Sequence, residues 1–267
     1  MDKKTFEKFR EIVYAKSGIS LNDSKVALVT ARVGKRMRAL GIENHRTYLE
    51  RVIKDESGEE VVHLLDAIST NVTHFFREAN HFSFLESVYR EWVKAGQRRF
   101  RMWSAACSTG EEPYSMLMTM LSAVDHVNLD LKLLATDIST RVLSASMAGE
   151  YTEERIKNVP KNLLHKYFEP RRAGNEKRYV AKGVLKNYVV FRRLNLNEPP
   201  FPMRGPLDII FCRNVMIYFD NVVRKQLLDE MYRLLKPGGY LMVGHAESLT
   251  GIVSDFKPVR PSIYVKK

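Results

Sequence analysis

Residues 98–115 have the sequence RRFRMWSAACSTGEEPYS, and this stretch sets the fold of the region that follows it. Its first part, Arg98–Cys107, predicts a β-strand, and Ser108-Thr109-Gly110 predicts a tight turn. A helix is expected to begin near Glu111, with Pro113 in its first turn, where a missing backbone N–H costs nothing. A strand, a glycine turn and a helix in this order are typical of the first unit of an open α/β sheet.

The same alternation of strand and helix continues towards the C-terminus. The further predicted strands are Leu131–Thr136 (ending at Asp137), Leu207–Cys212 and Tyr240–Gly244. Helices are expected after caps at Ser139 and Asp220, and Pro237-Gly238-Gly239 is expected to end the second of them. Strands separated by single helices predict a mostly parallel sheet with right-handed crossovers.

Two other regions depart from this pattern. The first seventy residues predict four helices, because apolar side chains recur at helical spacing, most clearly at Val26, Val29, Val33, Met37 and Leu40. Residues 150–195 predict short helices interrupted at Pro160 and short strands at Arg178–Val180 and Tyr188–Arg192. We therefore predict a helical domain over residues 1–75 and a sheet domain over residues 76–267, with a basic insertion at about 150–195.

Composition narrows the possible classes of protein. The chain has 267 residues, of which 45% are hydrophobic, so a packed core is expected. No apolar run approaches the roughly 18 residues of a membrane span, and no apolar signal segment follows the first residues. Cys107 and Cys212 have no His or Cys companions at ligand spacing. Neither a disulfide framework nor a metal site is expected. A cytoplasmic location is expected, because cysteines stay reduced there.

The positive charge is unevenly distributed. The formal net charge is +12, with 13 basic against 11 acidic residues in 1–75 and 30 against 20 in 76–267. Residues 155–193 alone contain 12 basic residues and two acids, and Lys25–Arg38 is a second basic run without acids. Such patches suit an anionic partner, whether nucleic acid, an acidic protein face or a membrane surface, although a solvated surface is the other open interpretation.

Three polar features are expected at the carboxyl edge of the sheet, where open α/β folds bind ligands. They are the small-residue loop Ala105–Gly110, Asp137 and the pair Arg213-Asn214. The loop has one glycine rather than three, and the chain lacks the G-x-x-x-x-G-K-[ST] phosphate loop. The arrangement therefore favours an adenosine cofactor without a pyrophosphate, and S-adenosyl-L-methionine (AdoMet) fits that description.

Five blocks of the sequence resemble the signatures of the bacterial chemotaxis receptor methyltransferases. The blocks are TNVTHFFRE (70–78), WSAACSTGEEPYS (103–115), ATDI (135–138), FCRNVMIYF (211–219) and GHAES (244–248). The resemblance implies a class I AdoMet-dependent, Rossmann-like α/β fold with a small all-helical N-terminal domain and a small β-containing insertion. It also implies methylation of glutamates on the cytoplasmic helices of methyl-accepting chemotaxis receptors. The products would be glutamate methyl esters, which serve sensory adaptation, and S-adenosylhomocysteine. The enzyme would be recruited to membrane receptor arrays without inserting into the membrane.

The same resemblance implies nine cofactor-binding positions. These are Asn71, Thr73, Arg77, Glu112, Asp137, Asn195, Leu196, Arg213 and Asn214. Asp137 would hold the ribose and Asn195-Leu196 would border the adenine, while Glu112 rather than Glu111 matches the family's contact. A glutamate carboxylate, with a pKa of roughly 4, is already a nucleophile and needs no general base. The enzyme must therefore desolvate and aim it, and we predict that Arg77 and Tyr218 are the catalytic residues nearest the reacting groups.

The partner and two rival functions complete the predictions. The basic face of the second helix, with Arg32, Lys35, Arg36 and Arg38, is predicted to bind acidic receptor helices. One rival is an RNA or other nucleic-acid methyltransferase, prompted by the net charge, although no nucleic-acid partner is expected. The other is a non-catalytic AdoMet-binding receptor scaffold. Whether the insertion binds a receptor tether peptide stays open.

Overall fold

The computed structural model describes residues 1–124, 129–174, 176–252 and 254–267. The helices are α1 Lys3–Ser17, α2 Val26–Ala39, α3 His45–Lys54, α4 Glu59–Ile68, α5 Ala79–Lys94, α6 Glu111–Ala123, α7 Thr140–Ala148, α8 Glu153–Ile156, α9 Lys161–Tyr167, α10 Gly183–Lys186 and α11 Asn221–Leu234. The strands are β1 Arg99–Ala105, β2 Asp130–Asp137, β3 Glu150–Thr152, β4 Phe168–Ala173, β5 Glu176–Ala181, β6 Val189–Arg193, β7 Leu207–Cys212, β8 Leu235–Val243, β9 Lys257–Arg260 and β10 Ile263–Val265. No helix in these described ranges is both long enough and apolar enough to cross a bilayer.

A seven-stranded sheet organises the larger part of the chain. Its strand order is β6-β2-β1-β7-β8-β10-β9. The pairs among β6, β2, β1, β7 and β8 are parallel, whereas β10 runs antiparallel to both of its neighbours. The predicted mostly parallel sheet is therefore confirmed. The order reverses at β1, so the loops after β1, β2 and β7 meet at one edge of the sheet.

Each face of this sheet buries its own apolar cluster, because successive side chains of a strand point to opposite faces. On β1, Met102 packs with α5 and α6, while the neighbouring Trp103 packs on the other face with α11. The strand β7 is buried along its whole length, as expected for a central strand covered by helices on both sides.

The helices α1–α4 form a separate bundle, which we call the helical head. Its core includes Phe9, Val33, Tyr48 and Leu64, all fully buried. Asp2 caps α1 by accepting the Thr5 N–H at 2.9 Å. The four predicted helices are present at the predicted places.

Four polar contacts join the helical head to the carboxyl edge of the sheet. The Tyr14 hydroxyl donates to Asp220 at 2.5 Å, and Thr140 donates to Asp66 at 3.0 Å. The Ser20 N–H donates to the Tyr218 carbonyl at 2.8 Å, and the Asn195 amide donates to the Lys16 carbonyl at 2.8 Å. The head therefore closes over the edge where the sequence predicts ligand binding.

The insertion differs from its prediction in two respects. It contains a three-stranded antiparallel sheet with the order β3-β5-β4, of which only β5 was predicted. The strand predicted at Tyr188–Arg192 does not belong to it. That strand, β6, pairs in parallel with β2 through contacts such as Ala135 with Phe191, and forms an edge of the main sheet. Local pattern cannot distinguish these partners, because pairing is decided by crossover geometry rather than by strand composition.

The helix α5 begins at Ala79, so Asn71 and Thr73 lie in a segment that is neither helix nor strand. One element boundary differs from the sequence expectation. The strand β8 begins at Leu235, so Pro237-Gly238-Gly239 lies within it and not between helix and strand. The paired register of β7 and β8 is irregular between Leu207 and Ile209, opposite this segment.

Candidate functional site

One cleft lies between the helical head and the carboxyl edge of the sheet. It is lined by the α1–α2 connection, the segment 68–77 that joins head and sheet, and the loops after β1, β2, β6 and β7. All nine predicted cofactor-binding residues line it, and so does Tyr218. The structure thus brings together predicted site residues that are up to 147 positions apart, from Asn71 to Tyr218.

The connecting segment contributes an unpaired donor to this cleft. The Asn71 side-chain nitrogen is buried and has no hydrogen-bond partner within the described ranges. Its backbone carbonyl is fixed, because the Ser108 hydroxyl donates to it at 3.1 Å. The Arg77 guanidinium donates one bond to the Val72 carbonyl at 3.0 Å and lines the cleft with its exposed end. A buried donor without a partner is costly, so a ligand acceptor is expected at Asn71.

The loop after β1 is held in place by Asp137. One carboxylate oxygen of Asp137 accepts the Ser108 N–H at 2.9 Å, and the other accepts the Ser139 N–H at 3.0 Å. Burial raises the pKa of Asp137, and these two N–H donors oppose the rise. Each oxygen keeps a lone pair that is free to accept a hydroxyl, as a ribose contact requires.

The glycine turn brings α6 close to the insertion. Gly110 has φ +95°, and a Cβ there would lie 2.7 Å from the Ser146 Cβ and 2.8 Å from the Tyr151 hydroxyl. At the start of α6 the two adjacent glutamates diverge. Glu111 is fully buried against Arg155 of α8 at 3.2 Å, whereas Glu112 lines the cleft. The geometry therefore agrees with the choice of Glu112 over Glu111.

A cluster centred on the buried Arg213 lies behind the cleft. The Arg213 side chain is 2% exposed and donates to Glu78 at 3.1 Å and to Glu112 at 3.2 Å. It also donates to the Arg77 carbonyl and lies over the rings of Phe82 and Phe211. The guanidinium is thus engaged by the protein on several sides, and it positions Glu78 and Glu112.

The two carboxylates of this cluster have different electrostatics. Burial raises the pKa of Glu78, but Arg213 and the His245 N–H outweigh burial, so its pKa lies below the ordinary value. Burial dominates at Glu112 and raises its pKa, with Arg213 and the Ser104 hydroxyl opposing. One arginine therefore serves two carboxylates whose side chains are each 13% exposed, and the cleft side of the cluster suits a cationic group.

The loop after β6 presents one apolar and one polar residue. Leu196 is buried at the cleft wall. The Asn195 amide nitrogen is shared between the Lys16 carbonyl and Glu198, each at 2.8 Å, and its oxygen accepts the Asn197 N–H. Asn195 therefore holds the head against the cleft, in addition to lining it.

The loop after β7 carries Asn214 and Tyr218. Asn214 has φ +59°, and its side chain donates a long bond to Glu78 at 3.4 Å. Tyr218 ends a short 3₁₀ turn, Met216–Tyr218, and its backbone is bonded to the head at Ser20. In the described part of the chain the Tyr218 hydroxyl has no protein partner, and the residue lines the cleft.

The four basic residues of α2 separate into two kinds. Lys35 and Arg38 are exposed. Arg36 makes a two-pronged pair with the buried Glu60, at 2.8 and 2.9 Å, so it is engaged within the head. Arg32 donates to the Ile68 carbonyl and to the Thr70 hydroxyl, and it lines the cleft. Only Lys35 and Arg38 keep the free, outward charge that the docking prediction requires.

Several residues of the cleft and of its supporting contacts were not singled out from the sequence. Glu78 and Glu247 support the cleft without lining it, and they stood inside quoted blocks without an assigned role. The cleft-lining head residues Ser20 and Leu28 were not considered. The signal available for the glutamates was their position inside two of the quoted blocks. No local signal was available for the head residues, because their place in the cleft follows from the docking of the head.

One group of potential metal ligands lies beside the arginine cluster. Among the described residues, the ligand atoms of Glu78, His81 and His245 lie within 4.8 Å of one another. Glu78 is however the carboxylate that pairs with Arg213 at 3.1 Å. A metal ion there would face this fixed positive charge, so the geometry favours an ion-pair network over a metal site.

The residues of the cleft fit AdoMet. Asp137 offers acceptors for ribose hydroxyls, Leu196 an apolar wall for a base, and Glu112 a negative group for the positive charges of the cofactor. The buried, unpaired Asn71 nitrogen provides the donor that a carboxylate would satisfy. These are complementary groups on four different elements that converge on one cleft.

The comparisons with known proteins agree on one family. The family model described as "CheR methyltransferase, SAM binding domain" matches residues 71–265, and "CheR methyltransferase, all-alpha domain" matches residues 4–69. A chemotaxis protein methyltransferase of Borreliella burgdorferi is 37% identical over 263 residues, covering 96% of this chain and 92% of its own. One from Salmonella typhimurium is 36% identical over 259 residues, covering 97% and 88%. A solved glycopeptide N-methyltransferase is 15% identical, with a TM-score of 0.34 over 60% of this chain and 52% of its own, a likeness too weak to argue from.

Proposed function

The chain belongs to the CheR methyltransferase family, and from this premise we propose that it methylates glutamate side chains of chemotaxis receptors. It is an AdoMet-dependent methyltransferase of chemotaxis with a class I fold. The parts that we propose are the glutamate ester product, the receptor methylation helices as the substrate and the roles of individual residues. We further propose that the enzyme works at the cytoplasmic receptor arrays.

One observation carries the glutamate assignment. The cleft presents two donors suited to an incoming carboxylate, the Arg77 guanidinium and the Tyr218 hydroxyl, which come from two different segments of the chain. Charge-assisted bonds of this kind orient a carboxylate without protonating it. A carboxylate acceptor needs orientation and partial desolvation, and it needs no base. The carboxylates of Glu78 and Glu112 are already paired with Arg213.

The residues would divide the work as follows. AdoMet supplies an activated methyl group, and the products are a glutamate methyl ester and S-adenosylhomocysteine. Asp137, Leu196 and Asn71 would hold the ribose, the base and the carboxylate of the cofactor. Glu112 would bind its positive end, and Arg77 with Tyr218 would aim one oxygen of the substrate glutamate. No proton changes place in this transfer, which agrees with a site lacking a dedicated base.

The surface beside the cleft suits an acidic helix. Lys35 and Arg38 are exposed on α2, and the apolar side chains of Leu28 and Val72, the latter 76% exposed, stand at the cleft. Positive charge next to an exposed apolar contact matches a helix that carries glutamates and small apolar residues. We therefore propose that a receptor methylation helix lies along α2 and presents a glutamate to the cleft.

The test is methyl transfer from labelled AdoMet to receptor-containing membranes, with RNA offered in a parallel reaction. Label on the receptor that is released by mild base indicates a carboxylate methyl ester. Stable label on RNA would instead support a nucleic-acid methyltransferase, and binding of AdoMet without any transfer would support a scaffold. Tandem mass spectrometry of the labelled peptides then identifies the modified side chain.

The residue roles are tested by Tyr218→Phe and Arg77→Ala. Each substitution is expected to lower kcat at least tenfold, because each removes a group that orients the acceptor. The affinity for S-adenosylhomocysteine is expected to change less in Tyr218→Phe than in Arg77→Ala, since Arg77 lies on the cofactor side as well. Wild-type turnover in both variants would refute the assignment.

A further inference from the structure

We propose that Glu247 is a positioning residue for methyl transfer, which fixes the loop carrying Asn214 and Tyr218 without itself touching the cleft. The proposal rests on the methyltransferase activity discussed above. Glu247 lies in the turn after β8, is 6% exposed and is not among the cleft-lining residues. Nothing in the cofactor or acceptor roles assigned above uses it.

The carboxylate of Glu247 accepts three backbone N–H groups. One oxygen accepts the Asn214 N–H at 2.7 Å and the Gly244 N–H at 2.6 Å. The other oxygen accepts the Ile217 N–H at 3.2 Å. Two of the three donors therefore belong to the loop after β7, and the third belongs to the end of β8. Glu247 joins these two neighbouring strand ends through a single side chain.

The close packing at Gly244 is an independent sign of this clamp. A Cβ at position 244 would lie 2.5 Å from the Asn214 side-chain nitrogen and 3.0 Å from its backbone nitrogen. It would also lie 2.8 Å from the Glu247 carboxylate. Only glycine leaves room for the Glu247 carboxylate and the Asn214 backbone to meet at this point.

The clamp matters because the loop has an unfavourable conformation. Asn214 has φ +59°, in the left-handed region that non-glycine residues seldom adopt. Buried N–H groups without acceptors are costly, so the loop would rearrange if the carboxylate were removed. Ile217 precedes Tyr218 directly, and a rearrangement at its N–H would move the Tyr218 hydroxyl within the cleft.

This geometry predicts a split between turnover and cofactor binding. A displacement of about 1 Å of a group that aims the acceptor is enough to lower the rate roughly a hundredfold. Asn71, Asp137 and Leu196 lie on other elements, and the hydrogen bonds of Asn71 and Asp137 go to Ser108 and Ser139 and not to Glu247, so most of the cofactor contacts are unaffected. Loss of the clamp is therefore expected to reduce kcat far more than cofactor affinity.

The experiment compares Glu247→Gln and Glu247→Ala with Glu230→Gln as a matched control. Glu230 is 7% exposed and also accepts a buried backbone N–H, that of Phe201 at 2.7 Å, but it lies on α11 away from the cleft. The glutamine at 247 keeps one oxygen for two donors and turns an N–H₂ towards the Ile217 N–H. We expect kcat to fall about tenfold in Glu247→Gln and about a hundredfold in Glu247→Ala. The S-adenosylhomocysteine Kd should change less than about threefold, and Glu230→Gln should retain kcat.

Two further measurements keep the proposal testable whatever the receptor assay shows. Amide hydrogen exchange of the peptide covering residues 213–219 should be at least tenfold faster in Glu247→Gln than in wild type and in Glu230→Gln. Gly244→Ala, which keeps the carboxylate, should lower kcat as well, because it pushes on the same contact. Unchanged exchange in Glu247→Gln, or a fall in kcat matched by an equal loss of cofactor affinity, would overturn the proposal. Failure of the proposed function is distinct, since it would appear as absent receptor methylation in wild type.

Discussion

Among the described residues, one arginine–carboxylate cluster lies in the helical head and another lies behind the cleft, and the two differ in stoichiometry. In the head, Arg36 pairs with Glu60, which also accepts the Tyr48 hydroxyl at 2.9 Å. Behind the cleft, Arg213 pairs with two carboxylates, Glu78 and Glu112. The first cluster has a single carboxylate, which also lies 3.6 Å from Arg51, whereas the second has two carboxylates for a single arginine.

This difference separates a structural pair from a binding site. The Arg36 hydrogen bond lowers the pKa of Glu60, as in an ion pair that is complete in the folded protein. Burial instead raises the pKa of Glu112, because Arg213 is shared with Glu78 and cannot fully compensate. The cluster behind the cleft is therefore short of positive charge, and a cationic ligand such as AdoMet would supply it. In the head cluster the charge of Glu60 is already balanced by Arg36, so no unbalanced charge is left to attract a ligand.

The largest expected effect comes from removing each arginine. Arg213→Met leaves two largely enclosed carboxylates, Glu78 and Glu112, without their arginine partner and should lower the free energy of unfolding by about 3–5 kcal/mol. Arg36→Met should cost about 1–3 kcal/mol, because Glu60 keeps Tyr48 and the pair is nearer to solvent. Urea unfolding of both variants measures this difference. Equal losses would mean that the two clusters are alike in their contribution to stability.

The second prediction concerns pH and the histidine beside the cleft cluster. Burial and then Arg213 lower the pKa of His81 to about 4, against about 6.5 in an unfolded chain. Above the unfolded pKa both states are neutral, so the histidine costs nothing. As the pH falls from 6.5 to 4 the unfolded state takes up a proton that the folded state does not, and stability is lost, by up to roughly 3 kcal/mol.

This contribution is isolated by following stability against pH in His81→Gln. The variant should show a shallower loss between pH 6.5 and 4 than wild type, whatever its stability at neutral pH. His165→Gln, at an exposed position on α9, is the control and should follow the wild-type slope. Parallel curves for all three proteins would show that His81 is not held neutral in the fold.

The third prediction tests directly whether the cluster of Arg213, Glu78 and Glu112 lacks positive charge. Glu112→Gln should weaken AdoMet binding at least tenfold, because a charge-assisted contact is worth roughly 1.5–3 kcal/mol. Glu60→Gln, in the completed cluster of the head, should leave AdoMet affinity unchanged. Isothermal titration calorimetry on both variants decides the matter. An unaltered Kd in Glu112→Gln would remove Glu112 from the cofactor site.

The smallest expected effect concerns the outer face of the head. Reversing the charge of both Lys35 and Arg38 to Glu should raise the receptor KM about threefold to tenfold at low salt and less at high salt. AdoMet affinity should stay as in wild type. The same reversal at Lys3 and Lys4, exposed on α1, changes the net charge equally and should have little effect. Equal effects of the two double variants would indicate general charge steering and not docking on α2.

The elements of the sheet domain were predictable because their signals are local. Helix starts are marked by capping side chains that lie close in sequence to the N–H groups they accept. Ser139 accepts the Val142 N–H, and Asp220 accepts the Val223 N–H. The apolar run Leu207–Cys212 predicts a central strand because both of its faces are buried. The resemblance gave nine predicted cofactor-binding residues, seven of them inside the quoted blocks, and all nine line one cleft.

Other features could not be predicted because they depend on distant partners. The pairing of β6 with β2 and not with the insertion follows from how the chain crosses over the sheet. The commitment of Arg36 to Glu60 and of Arg32 to the Ile68 carbonyl depends on α4 packing beside α2. A helical wheel shows that these arginines flank the apolar stripe, and it does not show which of them meets a carboxylate.

By itself the sequence determined the alternation of strands and helices, the apolar faces that must be buried and the residue types at the strand ends. These properties depend on periodicity and on contacts a few residues apart. Only the tertiary structure decided which charges are neutralised within the protein and which face a ligand, because that balance depends on groups brought together from distant positions. Glu247 shows this most clearly, since its role lies in N–H groups 30 and 33 residues earlier in the chain.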